Sequence, residues 1–290
     1  MIKKVVIPAA GLGTRLFPAT KEQPKEMLPI FSRLANDEAN TSLKPLLQLV
    51  FEQLYEDGFR EFCFIVGRGK RAIEDHFTPD GNCVVMLENK GKNSQASDLE
   101  SFYRKLKTSK LIWMNQPEPK GFGDAVLTAQ PFVQNEPFLV HAGDTYIISR
   151  KAAHLRTLMK IHERLNADAV FIMREVKNPC EYGVIEAEES EKGIYKVKKA
   201  VEKPAKPPTN LAIVPIYVFQ PIIFEALEKT SPGKGGELQL TDAIQKLIEW
   251  GSRVCAFQLK PTQIRLDVGS PEKYWKALQL SHHSAKKFKI

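Results

Sequence analysis

One stretch near the N-terminus limits what this chain can become: VVIPAAGLGTRLFPATKEQPKEMLP, residues 5–29. Val5–Val6–Ile7 is a short apolar run of the kind that forms a buried strand. It breaks into Ala9–Ala10–Gly11–Leu12–Gly13–Thr14–Arg15, a loop of mostly small residues. Glycines let such a backbone turn tightly and approach a ligand. Consecutive N–H groups in the turn form an anion-binding concavity. Arg15 adds a planar cation suited to phosphate, and Lys25, between Pro24 and Pro29, adds a second. The simplest ligand for this arrangement is a polyphosphate. A P-loop is excluded because no Lys-Ser/Thr follows Gly13, and a dinucleotide fingerprint because position 16 is Leu.

Downstream, apolar runs alternate with helical patterns. Leu46, Leu47, Val50 and Leu54 recur at helical spacing before Gly58, and Phe62–Val66 follows as a buried strand. Short helices are expected over 70–77 and 98–107, and strands over 83–87 and 111–114. A strand at Phe138–His141, a helix over 151–165 and a strand over 169–173 continue the pattern. From residue 180 strands dominate, in GVIEA, GIYKVKKAVEKP and LAIVPIYVF. Helices over 221–229 and 240–250, a strand over 254–259 and a helix from Pro271 close the chain. Residues 31–44, rich in Asn, Asp and Ser, are expected as an exposed loop or irregular insert.

The fold class is therefore α/β: a Rossmann-like, mixed but mostly parallel central sheet with helices on both faces. Ligands are expected beyond the carboxyl ends of the strands. No linker interrupts the pattern, so residues 1–290 are expected as a single domain. It divides into a part over about 1–150 that carries the phosphate loop, a strand-rich part over about 165–270 and a C-terminal helix 271–285.

Composition excludes several classes. No apolar run approaches the length of a membrane span, and the N-terminus lacks the pattern of a secretory signal. The four cysteines, 63, 83, 180 and 255, form no C-x-x-C pair and suit reduced thiols in a cytoplasmic protein. The net charge of +8 is spread along the chain with no nucleic-acid motif. It is compatible with steering an anionic small substrate.

A second tier of residues acquires meaning beside the phosphate loop. Asp144 follows a buried strand and a glycine, and Asp267 has a similar setting in Arg265–Leu266–Asp267–Val268–Gly269. Alone, either would be a cap or turn residue; converging on one crevice, they suit Mg²⁺, which takes few protein carboxylates and completes its shell with water and phosphate. Gln116 donates and accepts through one side chain, as reading a pyrimidine edge requires, and Gly121 on the same loop allows close approach. Glu202 suits sugar hydroxyls and Lys203 a phosphate. Adjacent strand residues face oppositely, so both serve one ligand only if the strand ends or bends there.

AAGLGTRLFPATKEQPKEMLP resembles the signature of sugar-phosphate nucleotidylyltransferases, and its ATK…PKEMLP subtype is similar to bacterial and archaeal UTP–glucose-1-phosphate uridylyltransferases. QPEPKGFGDAV, GDT, EYGVIE, VEKP, NLAIVPIYVF, GGELQLTDAI and LDVGSPEKY extend the likeness over nearly the whole chain. The resemblance implies a nucleotide-diphospho-sugar transferase fold. It also implies Mg²⁺-dependent uridylyl transfer from UTP to glucose 1-phosphate in a homo-oligomer. Carried over by position, Ala10, Gly11, Gly13 and Arg15 hold the nucleotide, and Gln116 and Gly121 its base. Lys25 stabilises charge at the reacting phosphate, with Arg15 and Lys203 also in catalytic roles. Gly183, Glu202, Lys203 and Tyr217 take the sugar phosphate, and Asp144 and Asp267 the metal. The chain departs from the bacterial pattern in its longer 31–44 insert and in His141–Ala142–Gly143 before Asp144. Its QPEPKG loop partly resembles thymidylyltransferases, which keeps dTTP open as the nucleotide. A catalytically quiet regulatory relative stays as the alternative of another class.

Overall fold

The computed structural model describes residues 2–34 and 37–287. The first half contains β1 (Lys4–Pro8), β2 (Pro29–Leu34), β3 (Asp37–Pro45), α1 (Leu46–Glu56), β4 (Glu61–Val66), α2 (Arg71–His76), α3 (Gly81–Asn89), α4 (Asn93–Lys107), β5 (Lys110–Asn115), α5 (Phe122–Thr128), α6 (Gln130–Val133), β6 (Phe138–His141) and β7 (Thr145–Ile148). The second contains α7 (Ala153–Leu165), β8 (Ala169–Glu175), β9 (Gly183–Glu191), β10 (Ile194–Glu202), β11 (Leu211–Phe219), α8 (Ile222–Glu228), α9 (Leu240–Glu249), β12 (Val254–Gln258), β13 (Ile264–Asp267) and α10 (Pro271–Lys287).

Among the described residues, nine strands form one sheet in the order β5-β4-β1-β6-β11-β8-β12-β10-β9. The sheet is mixed. Parallel pairing joins β5–β4–β1–β6 and, separately, β8–β12. Antiparallel pairing carries it through β11, β10 and β9. Alternation along the strands divides the core between its two faces. Val5 and Ile7 of β1, with Phe62 and Phe64 of β4, pack with residues of α1, α2, α4 and α7. Val6, Cys63 and Ile65 face the other way, onto α5, α6, α8 and α9. Because both faces are covered, the carboxyl ends of β1, β4 and β6 are the sheet's accessible edge.

Helix α1 begins directly after Pro45 and stops before Gly58, whose φ of 103° only glycine adopts readily. Its Leu46, Leu47, Val50 and Leu54 are fully buried, as their spacing requires. Residues 83–87 depart from expectation, lying inside helix α3 rather than a strand. The Asp80 side chain accepts from the Asn82 N–H at 2.9 Å and caps that helix. Val85 and Met86 stand exposed, so the apolar run was not a core strand.

The polar insert is not an irregular loop; residues 35 and 36 within it lie outside the described residues. Strands β2 and β3 form an antiparallel hairpin, with Pro29 opposite Pro45 and Ser32 opposite Ser42. Ile30 and Leu34 are buried and Phe31, Ser32 and Arg33 between them are half-buried, a strand too sparse in apolar residues to be read as one. Helix α10 packs along it. Tyr274 Oη donates to Pro29 O at 2.9 Å, and the Phe31 N–H donates to Ser281 Oγ at 3.2 Å. Tyr274 and Leu280 of α10 pack against the chain's own core, whereas Trp275 is 62% exposed.

Candidate active site

The accessible edge opens into a two-lobed cleft. One lobe, about 410 Å³, is lined by Gly11, Gly13, Arg15, Lys25, Asp144, Gly183, Glu202, Lys203, Tyr217 and Asp267. The other, about 350 Å³, adds Ala10, Gln116 and Gly121 and shares Gly11, Gly13, Lys25 and Asp144. All the site residues named from the sequence thus line one continuous cleft, with the glycine loop and the Lys25–Asp144 pair at the junction.

The glycine loop leaves β1 and runs over this junction. Gly13 sits at φ 67°, in the left-handed region, and Thr20 Oγ1 donates to its carbonyl at 2.8 Å, which closes the loop on itself. Lys25 lies on the short 3-10 turn Lys25–Met27, between the chain's two neighbouring prolines. Its Nζ reaches Asp144 Oδ2 at 2.6 Å. Burial opposes the charge on Lys25, but attraction to Asp144, Glu26 and Asp267 outweighs it and holds its pKa above the ordinary lysine value. Burial likewise opposes ionisation of Asp144, yet Lys25 and Arg265 leave that carboxyl below its ordinary range. Glu26, behind Lys25, is bound by the buried Lys70 at 2.9 Å. Burial pushes its pKa up despite Lys70 and Lys25.

Asp144 and Asp267 meet through a pairing that the sequence did not announce. Rather than ending a strand of the main sheet, Asp267 ends β13, which pairs antiparallel with β7 in a separate two-stranded ribbon. The register sets Asp267 opposite Thr145, the residue after Asp144. Asp267 Oδ1 accepts from the Gly269 N–H at 2.8 Å, and Oδ2 from Arg265 Nη2 at 3.0 Å. Among the described residues there is no group of three or more His, Cys, Asp or Glu side chains that could hold a metal. Two hard carboxylates facing an open cleft are what Mg²⁺ uses when substrate phosphates and water complete its shell, so the donor set fits that ion.

In the larger lobe, β10 ends at Glu202 and the chain bends at Lys203, which adopts φ 41°. That bend brings two successive side chains to the same cleft, where Lys203 Nζ and Glu202 Oε1 pair at 2.9 Å. Thr241 at the start of α9 donates to Glu202 Oε2 at 2.6 Å. A Cβ at Gly183 would stand 2.6 Å from Thr241 Oγ1 and 3.0 Å from Glu202 Oε2, so glycine leaves these two side chains room to meet. Tyr217 of β11 is buried, and burial drives its pKa well above the phenol range.

In the smaller lobe Gln116 is fixed by its own loop. Its Nε2 donates to Gly121 O at 3.1 Å and to Asp124 Oδ2 at 2.6 Å. The remaining polar atom of the side chain, Oε1, can only accept. Gly121 sits at φ 108°, and a Cβ there would lie 2.6 Å from Leu238 O.

Sequence reasoning missed several cleft residues. Arg265 and Thr241 stand inside quoted motifs, RLDVG and GGELQLTDAI, but were not singled out. Lys273 comes from α10 to bind Glu181 Oε2 at 3.1 Å, and it lies 3.9 Å from Asp267 Oδ2. Nothing local in the sequence marks Lys70 as the partner of Glu26.

A Gly-rich strand end, basic residues and paired carboxylates in one crevice define a phosphate-handling transferase. The profile of the nucleotidyl transferase family matches residues 4–284, and the chain belongs to that family. It is 42% identical over 275 residues to the UTP–glucose-1-phosphate uridylyltransferase of Streptococcus pneumoniae, covering 92% of this chain and 86% of that one. To the Bacillus subtilis enzyme of the same name it is 41% identical over 271 residues, covering 92% and 87%. Its fold is similar to a UDP-glucose pyrophosphorylase crystallised with UDP-glucose, with a TM-score of 0.83 and 34% identity over 98% of this chain and 100% of the other. Among the described residues no helix is long and apolar enough to cross a membrane.

Proposed function

We propose that this chain transfers a uridylyl group from UTP to glucose 1-phosphate, releasing pyrophosphate and forming UDP-glucose. The observation that carries the reading is the Lys25–Asp144 pair at the junction of two lobes, one with a fixed amide and the other with a carboxylate–lysine pair. The relatives named for this activity support it.

The nucleotide occupies the glycine-loop side. Its phosphates meet the backbone at Ala10, Gly11 and Gly13 and the side chain of Arg15, and its base enters the lobe of Gln116 and Gly121. Gln116 Oε1 accepts from the N3–H that uracil and thymine share. The sugar phosphate occupies the other lobe, between Gly183, Glu202, Lys203 and Tyr217, with Glu202 on hydroxyls and Lys203 on the phosphate. A phosphate oxygen of glucose 1-phosphate, already anionic, attacks the α-phosphorus of UTP. The new P–O bond forms as the bond to the bridging oxygen of pyrophosphate breaks, and no general base is required. Lys25 and Arg15 stabilise charge on the transferring group, and Lys203 offsets repulsion between the two anions. Asp144 and Asp267 would hold Mg²⁺, which when bound neutralises phosphate charge and aligns the triphosphate.

Free thiols at the described cysteines and a nucleotide substrate support a cytoplasmic setting for this activity. Thymidylyl transfer is the second reading, because the N3–H contact does not sense the methyl group and one methyl gives modest discrimination. Pyrophosphate release with Mg²⁺ and glucose 1-phosphate, compared for UTP and dTTP by kcat/KM, tests both. A UTP preference supports the uridylyltransferase. Equal rates make it a broad pyrimidine enzyme, and silence with both nucleotides overturns the proposal.

A further inference from the structure

The two carboxylates that would take the metal are both already neutralised by side chains. Lys25 Nζ lies 2.6 Å from Asp144 Oδ2, and Arg265 Nη2 lies 3.0 Å from Asp267 Oδ2. The cations differ in kind. Lys25 carries a compact charge on a flexible stem, 20% exposed, at the junction of the lobes. The Arg265 side chain is 6% exposed and also reaches Thr145 Oγ1 at 3.4 Å. Its Nε and Nη1 are buried and make no hydrogen bond among the described residues. A guanidinium held this way is fixed, and the carboxylate is the strongest partner within its reach.

Charge arithmetic follows. Asp144, Asp267, Lys25 and Arg265 sum to zero, and the flanking pairs Glu26–Lys70 and Glu181–Lys273 cancel as well. A free dication entering beside them leaves the half-buried site at plus two, next to an ammonium that repels it. A metal–triphosphate complex, by contrast, arrives net negative. Its phosphates give Lys25 a new partner and leave Asp144 open to the metal.

We propose that Lys25 and Arg265 are resident counter-cations of Asp144 and Asp267. They keep free divalent metal out of the empty cleft and admit it only with a nucleoside triphosphate, to whose phosphates Lys25 moves. Arg265 stays in place and acts as a positioning residue for Asp267. This inference rests on the functional reading above. It makes metal and nucleotide binding strongly and reciprocally coupled, with Lys25 carrying most of the coupling.

The test is direct metal binding, read by proton relaxation enhancement with Mn²⁺, without turnover. Wild-type protein alone is expected to bind Mn²⁺ at least about tenfold more weakly than protein holding a non-hydrolysable UTP analogue, within the ordinary range of such couplings. Lys25→Met, which removes the charge and keeps the length, is expected to bind free Mn²⁺ at least about tenfold more tightly than wild type. Equal affinity of wild type and Lys25→Met, both folded by thermal melting, overturns the counter-cation proposal. So does tight Mn²⁺ binding by ligand-free wild type, which needs no variant. The double variant K25M/D144N separates this from the underlying assignment. If it binds Mn²⁺ as tightly as Lys25→Met, Asp144 is not a ligand and the metal site itself has been misassigned.

Discussion

Thr241 donates a 2.6 Å hydrogen bond to Glu202, and the bond exists because residue 183 has no side chain. The hydroxyl aims one carboxylate oxygen, Lys203 holds the other at 2.9 Å, and Gly183 leaves room for both. The larger lobe is thus shaped by α9, the end of β10 and the start of β9 acting together.

Gly183→Ala puts a methyl within 2.6 Å of Thr241 Oγ1 and 3.0 Å of Glu202 Oε2 and so displaces one or both side chains. Its KM for glucose 1-phosphate should rise by about tenfold or more, since a displaced hydrogen bond to a charged group is worth roughly 1.5–3 kcal/mol. Nucleotide affinity should stay near wild type. Thr241→Val, which removes the donor with little change in volume, should move the same KM in the same direction. An unchanged KM in both variants would show that Glu202 does not hold the sugar.

Lys25→Ala should lose much more kcat than nucleotide affinity, by roughly 10²–10³ in kcat, the scale for removing one group that stabilises transition-state charge. Steady-state kinetics with an independent nucleotide-binding titration checks the split. A matching loss in both would make Lys25 a binding residue instead.

Asp267→Asn keeps the shape of the side chain and removes its charge. Pyrophosphate release should nearly vanish at ordinary Mg²⁺, with any residual activity shifted to higher metal concentration. A normal Mg²⁺ titration curve would remove Asp267 from the metal site.

Three histidines set an acid limit on stability. Burial lowers His76 and His141 to a pKa of about 4 and His154 to about 3, from an ordinary 6.5. Between those values the unfolded chain binds protons that the folded chain refuses, so stability is intact above pH 6.5 and falls as pH drops towards 4. Each histidine contributes at most about 1.4 kcal/mol per pH unit. Thermal melts between pH 7 and 5, above most carboxylate titrations, should show a steady decline, and His76→Gln should flatten it in part, since His141, His154 and His162 still resist protonation. A flat wild-type profile would mean these rings are protonated or hydrated when folded.

The cleft was more legible in the sequence than the route by which the chain builds it. The glycine loop, Lys25, Gln116 and the VEKP turn announce themselves because small residues, prolines and charges at strand ends have few other uses. Strands β7 and β13 escaped because each is only four residues long and finds its partner across the chain. Local pattern cannot encode such a pairing. The β2–β3 hairpin escaped for a related reason: its order comes from contact with α10, some 250 residues away, rather than from its own alternation. Residues 83–87 misled in the opposite sense, since an apolar run without its environment does not distinguish a core strand from a surface helix capped by Asp80.

The β7–β13 ribbon also gives the enzyme a timetable. A chain emerging from the ribosome completes β1, the glycine loop, Lys25 and Asp144 long before β13 exists. Until the last strand is made, β7 has no ladder partner and Asp144 lacks the second carboxylate. The glycine loop and Lys25 are therefore made early, while the cleft waits for nearly the whole polypeptide, because Glu237 lines its smaller lobe and Leu238 hydrogen-bonds the Gly121 loop. A cut between β11 and α8 would leave Asp144 on one fragment and Asp267 on the other, so activity restored on mixing would require β13 to find β7.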